Sequence, residues 1–583
     1  MKDELFWRFR LVQVGLGLLG LAIILQILHI QYSPEADLIL EKGRRYTGTW
    51  ETIYPARGEI YDRQGHLLAG NQTVCEVGVD LAILEDLEDI NEIALAAQVY
   101  LNLNFSEVYN QLANPDKDAV YMVIDKYASP DNVVKFQELR NGATGETARN
   151  LSAVYFQPHL IRSYPEKTLA ANVLGLITID GSRRSFGIEE KYDSLLSGTA
   201  VKHWIPTNPN DAQQMPEVPT STALILTIDR EIQAAVEEIL DNAINDYGAE
   251  SGVIIVADPK NGEILAMATT PRIDPNDYWN QDATVLGHIP YNQAISQSYE
   301  PGSVFKILTM AAALDKGIVR PDTIYNDATG VIIVGQVPIH NWDYSAWGQQ
   351  DMTGCLQHSL NVCLAWVSTE MKKEVFYPYM QQFGLGHLTG IDLAGEDSGR
   401  LKLPTDDDWY EVDLGTNAYG QGVSVTPIQM IMAASAIANN GQMPRPHVLR
   451  ATIQDGRQLD MPIEIVGSPI SSATAQTLSG MLVNSLENES SLALVPGYRL
   501  AGKTGTASIP TPDGYSSFRT NASFIGWGPV DDPKFIVYIW LQEPTASIWG
   551  SETAAPVFKQ VVQKVVVLMG IPPDNIRLSI SGH

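Results

Sequence analysis

Residues 223–268 read ALILTIDREIQAAVEEILDNAINDYGAESGVIIVADPKNGEILAMA, and the apolar spacing in this stretch decides the fold class. Ala223 to Thr227 is a short run of strand composition. Asp229 then stands where a helix cap belongs, ahead of Ile232, Val236, Ile239, Leu240 and Ala243 on one helical face. Gly252 to Ala257 and Glu263 to Ala268 are β-prone runs joined by Asp258-Pro259-Lys260-Asn261-Gly262, which predicts a hairpin with a longer loop. A helix-rich stretch follows, and Ala522 to Gly526 and Phe535 to Leu541 add two late strands. Together these predict an α/β (α+β) domain with helices packed around a mainly antiparallel sheet.

N-terminal to that stretch, Ile205 to Thr222 (IPTNPNDAQQMPEVPTST) holds four prolines and almost no apolar periodicity. It reads as a linker or extended arm, and a domain boundary is placed there. From Leu11 to Pro34 there is no charged residue, and thirteen of the twenty residues from Leu11 to Ile30 are Leu, Ile or Val. That length spans a bilayer. At about −0.3 to −0.6 kcal/mol each, thirteen such residues give roughly −4 to −8 kcal/mol toward insertion, before the costs of Gln13, Gln26 and His29. No A-x-A-like cleavage site follows, so a retained anchor is expected rather than a cleaved signal. Lys2, Arg8 and Arg10 precede the span while Lys42, Arg44 and Arg45 follow it, beside Glu35, Asp37 and Glu41, so charge alone barely orients it. Long downstream domains are exported largely regardless of charge, which favours everything after Tyr32 outside the cell. The chain is therefore divided into an anchor (1–32), an N-terminal domain (33–220) and a C-terminal domain (221–583).

The full chain of 583 residues is 45% apolar and 18% charged, which excludes wholesale disorder and suits two or three domains. Its net charge of −29 repels phosphate backbones, so no nucleic-acid partner is expected. Three cysteines, Cys75, Cys355 and Cys363, are too few for a disulfide scaffold, and no Cys/His spacing announces a metal site. No cofactor is expected either. Cys355 and Cys363 flank Ser359-Leu360-Asn361 two helical turns apart, roughly 12 Å along an axis, which is too far for a disulfide. They are expected to be buried packing residues.

Three short motifs carry the chemistry. In YEPGSVFK, Ser303 follows a Pro-Gly turn at the start of an apolar-patterned helix, and Lys306 lies one helical turn on. A serine hydroxyl needs a base to take its proton, and a lysine serves only if burial or nearby positive charge lowers its pKa. The helix start adds backbone N–H groups that favour developing negative charge. Alone, S-x-x-K is weak, since a chain this long holds about one to two by chance. Ser359-Leu360-Asn361, on another predicted helix, and Lys503-Thr504-Gly505-Thr506, with the look of an inner strand edge, change that balance. The three patterns in this order are the signature of penicillin-binding proteins and class A β-lactamases.

The sequence resembles the class B penicillin-binding proteins, the monofunctional D,D-transpeptidases of cell-wall synthesis. Besides the motifs, the likeness rests on Tyr299 to Gly302, on AYGQGVSVTPIQM from Ala418 to Met430, on Ala438 to Gly441, and on Ala522 to Gly526. In the N-terminal region it rests on Arg57-Gly58-Glu59-Ile60-Tyr61-Asp62-Arg63-Gln64-Gly65 and Gly187-Ile188-Glu189-Glu190, and it is weakest from Cys75 to Arg162. The resemblance implies a serine-transpeptidase, β-lactamase-like domain at 221–583, an elongated α+β pedestal of the dimerisation type at 33–220, and one N-terminal transmembrane helix. No motif of a glycosyltransferase domain is present.

The resemblance also implies roles. Ser303 would attack the carbonyl between the two terminal D-alanines of a peptidoglycan stem peptide, with Lys306 as base. Ser359 and Asn361 would relay protons and hold the peptide. Lys503 would supply positive charge, with Thr504 and Thr506 of the Lys503-Thr504-Gly505-Thr506 strand binding the terminal carboxylate. The N–H groups of Ser303 and Thr506 would form the oxyanion hole. An amine acceptor would resolve the acyl-enzyme, β-lactams would trap it, and a polytopic membrane glycosyltransferase with other divisome or elongasome proteins would be partners at the bacterial cytoplasmic membrane. Leu360 stands where β-lactamases carry Asp, which suits a transpeptidase. The competing readings are a D,D-carboxypeptidase or β-lactamase-type hydrolase, and a non-catalytic penicillin-binding sensor or scaffold. Arg57 to Gly65 reads as scaffold, Gln421-Gly422 as a close-approach turn near the cleft, and His340-Asn341-Trp342-Asp343 as a structural loop.

Overall fold

The computed structural model describes residues 3–32, 48–84, 86–117, 119–179, 181, 184–206, 220–280, 292–489, 491–512 and 514–581. In the C-terminal region, α1 (Arg230–Tyr247) is followed by β1 (Ser251–Ala257) and β2 (Ile264–Thr270). Then come α2 (Lys306–Asp315), α3 (Met352–Gln357), α4 (Asn361–Met371), α5 (Pro427–Ala438) and α6 (Ser472–Glu489). The late strands β3 (Ala501–Thr511), β4 (Gly514–Gly528) and β5 (Phe535–Gln542) precede α7 (Ala554–Leu568). The five strands form one antiparallel sheet in the order β2-β1-β5-β4-β3.

This is the sheet that the hairpin and the late strands predicted, and its burial explains their composition. Every residue of β1 is buried, because both faces of the sheet are covered. Ile254 and Val256 pack with Ile232, Val236 and Leu240 of α1 and Phe558 and Val562 of α7. Val253 and Ile255 lie in the core of the other face, with Ile428 and Ile431 of α5. A strand buried on both faces reads as a continuous apolar run rather than an alternating one. The Asp229 carboxylate caps α1 by accepting the N–H groups of Glu231 and Ile232, and left-handed Gly248 ends it.

Ala223–Leu226 joins a different sheet. It pairs parallel with Ile60–Tyr61 and antiparallel with Leu449–Gln454, in a seven-stranded sheet that also holds Leu67–Asp80, Tyr121–Ala128, Val154–Ser163 and Arg457–Asp460. The stretch Cys75 to Arg162, where the sequence resemblance is weakest, folds as strands of this sheet with helices Leu87–Leu101, Phe105–Ala113, Pro130–Gly142 and Gly145–Ser152. Its core is built on Val77, Val79, Ile93, Phe136 and Val154.

Contacts divide the chain into two compact units, Met1–Ala56 with Ser197–Ser221, and Arg57–Leu196 with Thr222–His583. The strand Ala223–Leu226 is hydrogen-bonded into a sheet that also holds Ile60–Tyr61. The Arg57 to Gly65 stretch is scaffold, as expected. Arg57 and Arg162 donate to the two oxygens of the fully buried Glu189 carboxylate at 2.7 and 2.6 Å. Asp62 accepts the N–H groups of Gln64 and His66, each at 2.8 Å, which closes the turn.

The first unit, taken by itself, holds the helix Asp3–Tyr32 and an antiparallel pair of Gly48–Ile53 with Val201–Pro206. Trp7–His29 of that helix is long and apolar enough to cross a membrane. Residues 33–47, with the charges from Glu35 to Arg45, and residues 207–219 of the Pro-rich stretch lie outside the described residues.

Candidate active site

Two glycines bring the Ser303 turn to the sheet edge. Gly302 and Gly420 have φ of 60° and 84°, in the region that favours glycine. A Cβ on Gly302 would lie 2.8 Å from the Thr506 carbonyl oxygen, and one on Gly420 would lie 2.3 Å from that of Gly302. The close approach foreseen at Gln421-Gly422 thus falls on Gly420, while the Gly422 N–H donates to Glu300 at 3.0 Å. Ser303 sits in a short 3₁₀ turn, Gly302–Phe305, and not in the α-helix itself, and the Lys306 N–H donates to the Ser303 carbonyl. In 3₁₀ geometry side chains at i and i+3 eclipse, so Ser303 and Lys306 share one side of the turn.

The Lys306 side chain is fully buried. Its Nζ lies 2.6 Å from the Ser359 carbonyl oxygen, 3.0 Å from Ser359 Oγ and 2.8 Å from Asn361 Oδ1. Burial, with repulsion from the Lys503 ammonium added, holds the Lys306 amine well below the usual lysine range. The Ser303 hydroxyl carries no hydrogen bond among the described residues.

Two expectations for the S-x-N region are corrected. Ser359 does not lie within a helix. α3 ends at Gln357, Ser359 has φ of 53° in the left-handed region, and α4 starts at Asn361. Because the chain turns there, Cys355 and Cys363 are not spaced along one axis. Their Cα atoms are 6.1 Å apart and their sulfurs form a disulfide. Both are buried, as expected of packing residues.

The Lys503-Thr504-Gly505-Thr506 segment lies on β3, the edge strand beside the nucleophile turn. A Cβ on Gly505 would meet Ser523 Oγ at 2.2 Å and Val304 Cγ1 at 2.9 Å, so glycine permits this packing. Lys503 is buried, and its Nζ lies 3.2 Å from the Thr504 carbonyl oxygen. Thr506 Oγ1 accepts the Gly550 N–H at 3.0 Å, which leaves the hydroxyl hydrogen to donate into the cleft. Ser303, Ser359, Asn361, Thr504 and Thr506 all line one cavity of about 800 Å³. Among the described residues no group of three or more His, Cys, Asp or Glu side chains is placed to hold a metal ion.

Residues 252–563 match the family model of the penicillin-binding protein transpeptidase domain. The chain belongs to the penicillin-binding protein transpeptidase family. Residues 52–217 match the penicillin-binding protein dimerisation domain, so this penicillin-binding protein carries the pedestal that the resemblance implied. It is similar to the Stage V sporulation protein D of Bacillus subtilis, 31% identical over 542 residues that cover 90% of this chain and 80% of that protein. It is also similar to the peptidoglycan D,D-transpeptidase FtsI of Escherichia coli K12, 26% identical over 579 residues, 98% of this chain and 93% of that one. Among solved structures it is similar to penicillin-binding protein 3 of Mycobacterium tuberculosis complexed with aztreonam. There the TM-score is 0.68 at 27% identity, covering 90% of this chain and 98% of that chain.

The walls of the cleft in this penicillin-binding protein were not foreseen from sequence. The Trp342 and Trp549 rings meet edge to face at 5.3 Å, and Tyr419 and Tyr515 line the cavity as well. The His340 to Asp343 loop was expected to be structural only, but His340, Asn341 and Trp342 line the cavity while the loop also braces the S-x-N segment. The His340 carbonyl accepts from Asn361 Nδ2 at 3.1 Å, and buried Asn341 accepts the Val362 N–H. Neighbouring motif residues could have pointed to Trp342, since its loop props the S-x-N segment. Trp549 has no local signal, being joined to the K-T-G strand only through the adjacent Gly550. Glu300 ties the nucleophile turn to the hairpin tip, accepting the Tyr515 hydroxyl at 3.1 Å, and burial pushes its carboxyl up.

Proposed function

We propose that this penicillin-binding protein is a peptidoglycan D,D-transpeptidase that works through a Ser303 acyl-enzyme on D-Ala-D-Ala stem peptides and is acylated by β-lactams. The observation that carries this reading is the buried Lys306 amine, held by the Ser359 carbonyl and Asn361 Oδ1, two residues that line the same cavity as Ser303. A neutral amine has two hydrogens and one lone pair. The two carbonyl acceptors take the hydrogens, and the lone pair is left to receive a hydroxyl proton.

In the reaction, Ser303 Oγ attacks the penultimate D-Ala carbonyl and its proton passes to Lys306. The N–H groups of Ser303 and Thr506 receive the oxyanion, where one such donor is worth about 2.7 to 4 kcal/mol. The Ser359 hydroxyl carries the proton to the departing D-Ala amine, and Asn361 holds the peptide. The Thr504 and Thr506 hydroxyls, beside the positive Lys503, bind the terminal carboxylate. An acceptor amine then attacks the ester and forms the cross-link.

Residues 1–32 serve as a single-pass anchor in the bacterial cytoplasmic membrane, residues 33–220 as the pedestal and residues 221–583 as the catalytic portion outside it. The apolar span and the Cys355–Cys363 disulfide support this placement, since such bonds persist in oxidising compartments. With no glycosyltransferase motif of its own, the enzyme works with a polytopic membrane glycosyltransferase and other divisome or elongasome proteins.

Fluorescent penicillin labelling, together with product analysis on a D-Ala-D-Ala stem peptide plus an amine acceptor, tests the assignment. The expected result is labelling that Ser303→Ala abolishes, with cross-linked product exceeding hydrolysed product. Labelling of Ser303→Ala would remove the nucleophile. Turnover of nitrocefin, or hydrolysis alone, would favour the hydrolase, and absence of both reactions the scaffold.

A further inference from the structure

We infer that the Cys355–Cys363 disulfide is a positioning device for the base of the reaction. It acts through Ser359 and Asn361, and it rests on the reading of Lys306 as that base. The bond encloses seven residues, of which the fourth and sixth are Ser359 and Asn361. Those two residues supply the three oxygens within hydrogen-bond distance of Lys306 Nζ: two carbonyl acceptors and the Ser359 hydroxyl.

Between the cysteines the chain takes a course that it does not favour by itself. Ser359, with a side chain beyond Cβ, occupies the left-handed region at φ 53°, and Leu360 turns to extended backbone before α4 begins. Backbone bonds brace the kink locally, from His358 N–H to the Gly354 carbonyl at 2.9 Å, Ser359 N–H to the Leu356 carbonyl at 3.2 Å and Leu360 N–H to the Cys355 carbonyl at 3.0 Å. The relaxed alternative is a continuous helix through Ser359. It would separate the cysteines by roughly 12 Å along the axis and swing the Ser359 carbonyl into the helical ladder, away from Lys306. A disulfide forbids that alternative, because its Cα atoms cannot move apart beyond about 7 Å.

The consequence is directional. Asn361 Oδ1 and the Ser359 carbonyl lie on either side of the kink, and together they decide where the remaining lone pair of Lys306 points. Both sulfurs are buried, among the core residues packed under the site and away from the cleft, so the bond does not touch substrate. Its contribution is to hold the two acceptors at 2.6 and 2.8 Å.

The test compares the full chain with Cys355→Ser/Cys363→Ser and Cys355→Ala/Cys363→Val, using stopped-flow acylation by a fluorescent penicillin between pH 6 and 10. We expect the acylation rate constant to fall at least ~10-fold in both variants, while the dissociation constant of the non-covalent complex stays within ~2-fold. The pH midpoint of acylation should also move, which a purely structural bond would not cause. A folded variant with unchanged rate constant and unchanged midpoint overturns the inference. Failure of both variants to fold overturns it as well, because the bond would then serve the fold and not the site. If the unsubstituted chain is not acylated at all, the assignment of Ser303 and Lys306 fails instead.

Discussion

The Lys306 amine is hydrogen-bonded to the backbone carbonyl of Ser359 at 2.6 Å, a contact between residues fifty-three positions apart that exists only because Ser359 adopts a left-handed conformation. This contact ties the buried Lys306 amine to the kink between two helices. Four expectations follow from the arrangement around it.

The lowered pKa of Lys306 gives acylation and stability a defined pH dependence. The rate should rise with pH through a midpoint below the ordinary lysine value, and Lys306→Met should lower it about 10²- to 10⁴-fold. Between the lowered folded pKa and about 10.4, the unfolded chain binds more protons than the folded one. Stability of the parent relative to Lys306→Met should therefore increase as pH rises through that window, with the full penalty present below it. Urea unfolding of both proteins from pH 6 to 10 checks the sign. A constant difference would mean that Lys306 titrates normally.

Gly302→Ala should place a Cβ 2.8 Å from the Thr506 carbonyl oxygen in a backbone conformation at φ 60° that alanine disfavours. The strain costs about 1 to 3 kcal/mol, and relief would push the nucleophile turn off the K-T-G strand. Penicillin labelling should be nearly lost while the circular dichroism spectrum stays native-like. Labelling at the parental rate would show that the two segments need not touch so closely.

Thr506→Val keeps the shape of the side chain and removes the hydroxyl. A hydrogen bond to a charged group is worth about 1.5 to 3 kcal/mol, so kcat/KM for a substrate bearing a terminal carboxylate should fall about 10- to 100-fold. A substrate amidated at that end should lose far less. Equal losses for both substrates would argue against carboxylate recognition here.

Glu189→Ala tests the scaffold. Its carboxylate is fully buried and receives Arg57 at 2.7 Å and Arg162 at 2.6 Å. Removing one partner of such a cluster costs about 3 to 5 kcal/mol, because buried charge is left uncompensated. A denaturation midpoint within error of the parent would show that the two arginines find other partners.

The candidate site residues were legible in the sequence because they sit in short motifs, and each motif is a local device. The Pro301-Gly302 turn presents Ser303, the i+3 spacing brings Lys306 to the same side, and β3 carries Lys503, Thr504 and Thr506 on one strand. The five-stranded sheet was equally legible, since its doubly buried strands must be apolar throughout. A helix long and apolar enough to cross a membrane followed from length and hydropathy alone.

Other features were set by long-range pairing. Ala223–Leu226 had the composition of a strand, but its partner, Ile60–Tyr61, lies more than 160 residues away, and nothing in either run names the other. The cleft walls Trp342 and Trp549 converge from segments about two hundred residues apart. The Cys355–Cys363 bond shows the division most clearly. Local spacing made the pair unbridgeable on a straight helix. The left-handed Ser359 bends the chain so that the sulfurs meet, and the acceptor contacts to the buried Lys306 amine and the disulfide both hold that bend. Sequence determines which groups are available and what local shapes they prefer. The tertiary structure decides which preference is overridden, because burying an unpartnered amine is less favourable than one strained backbone angle.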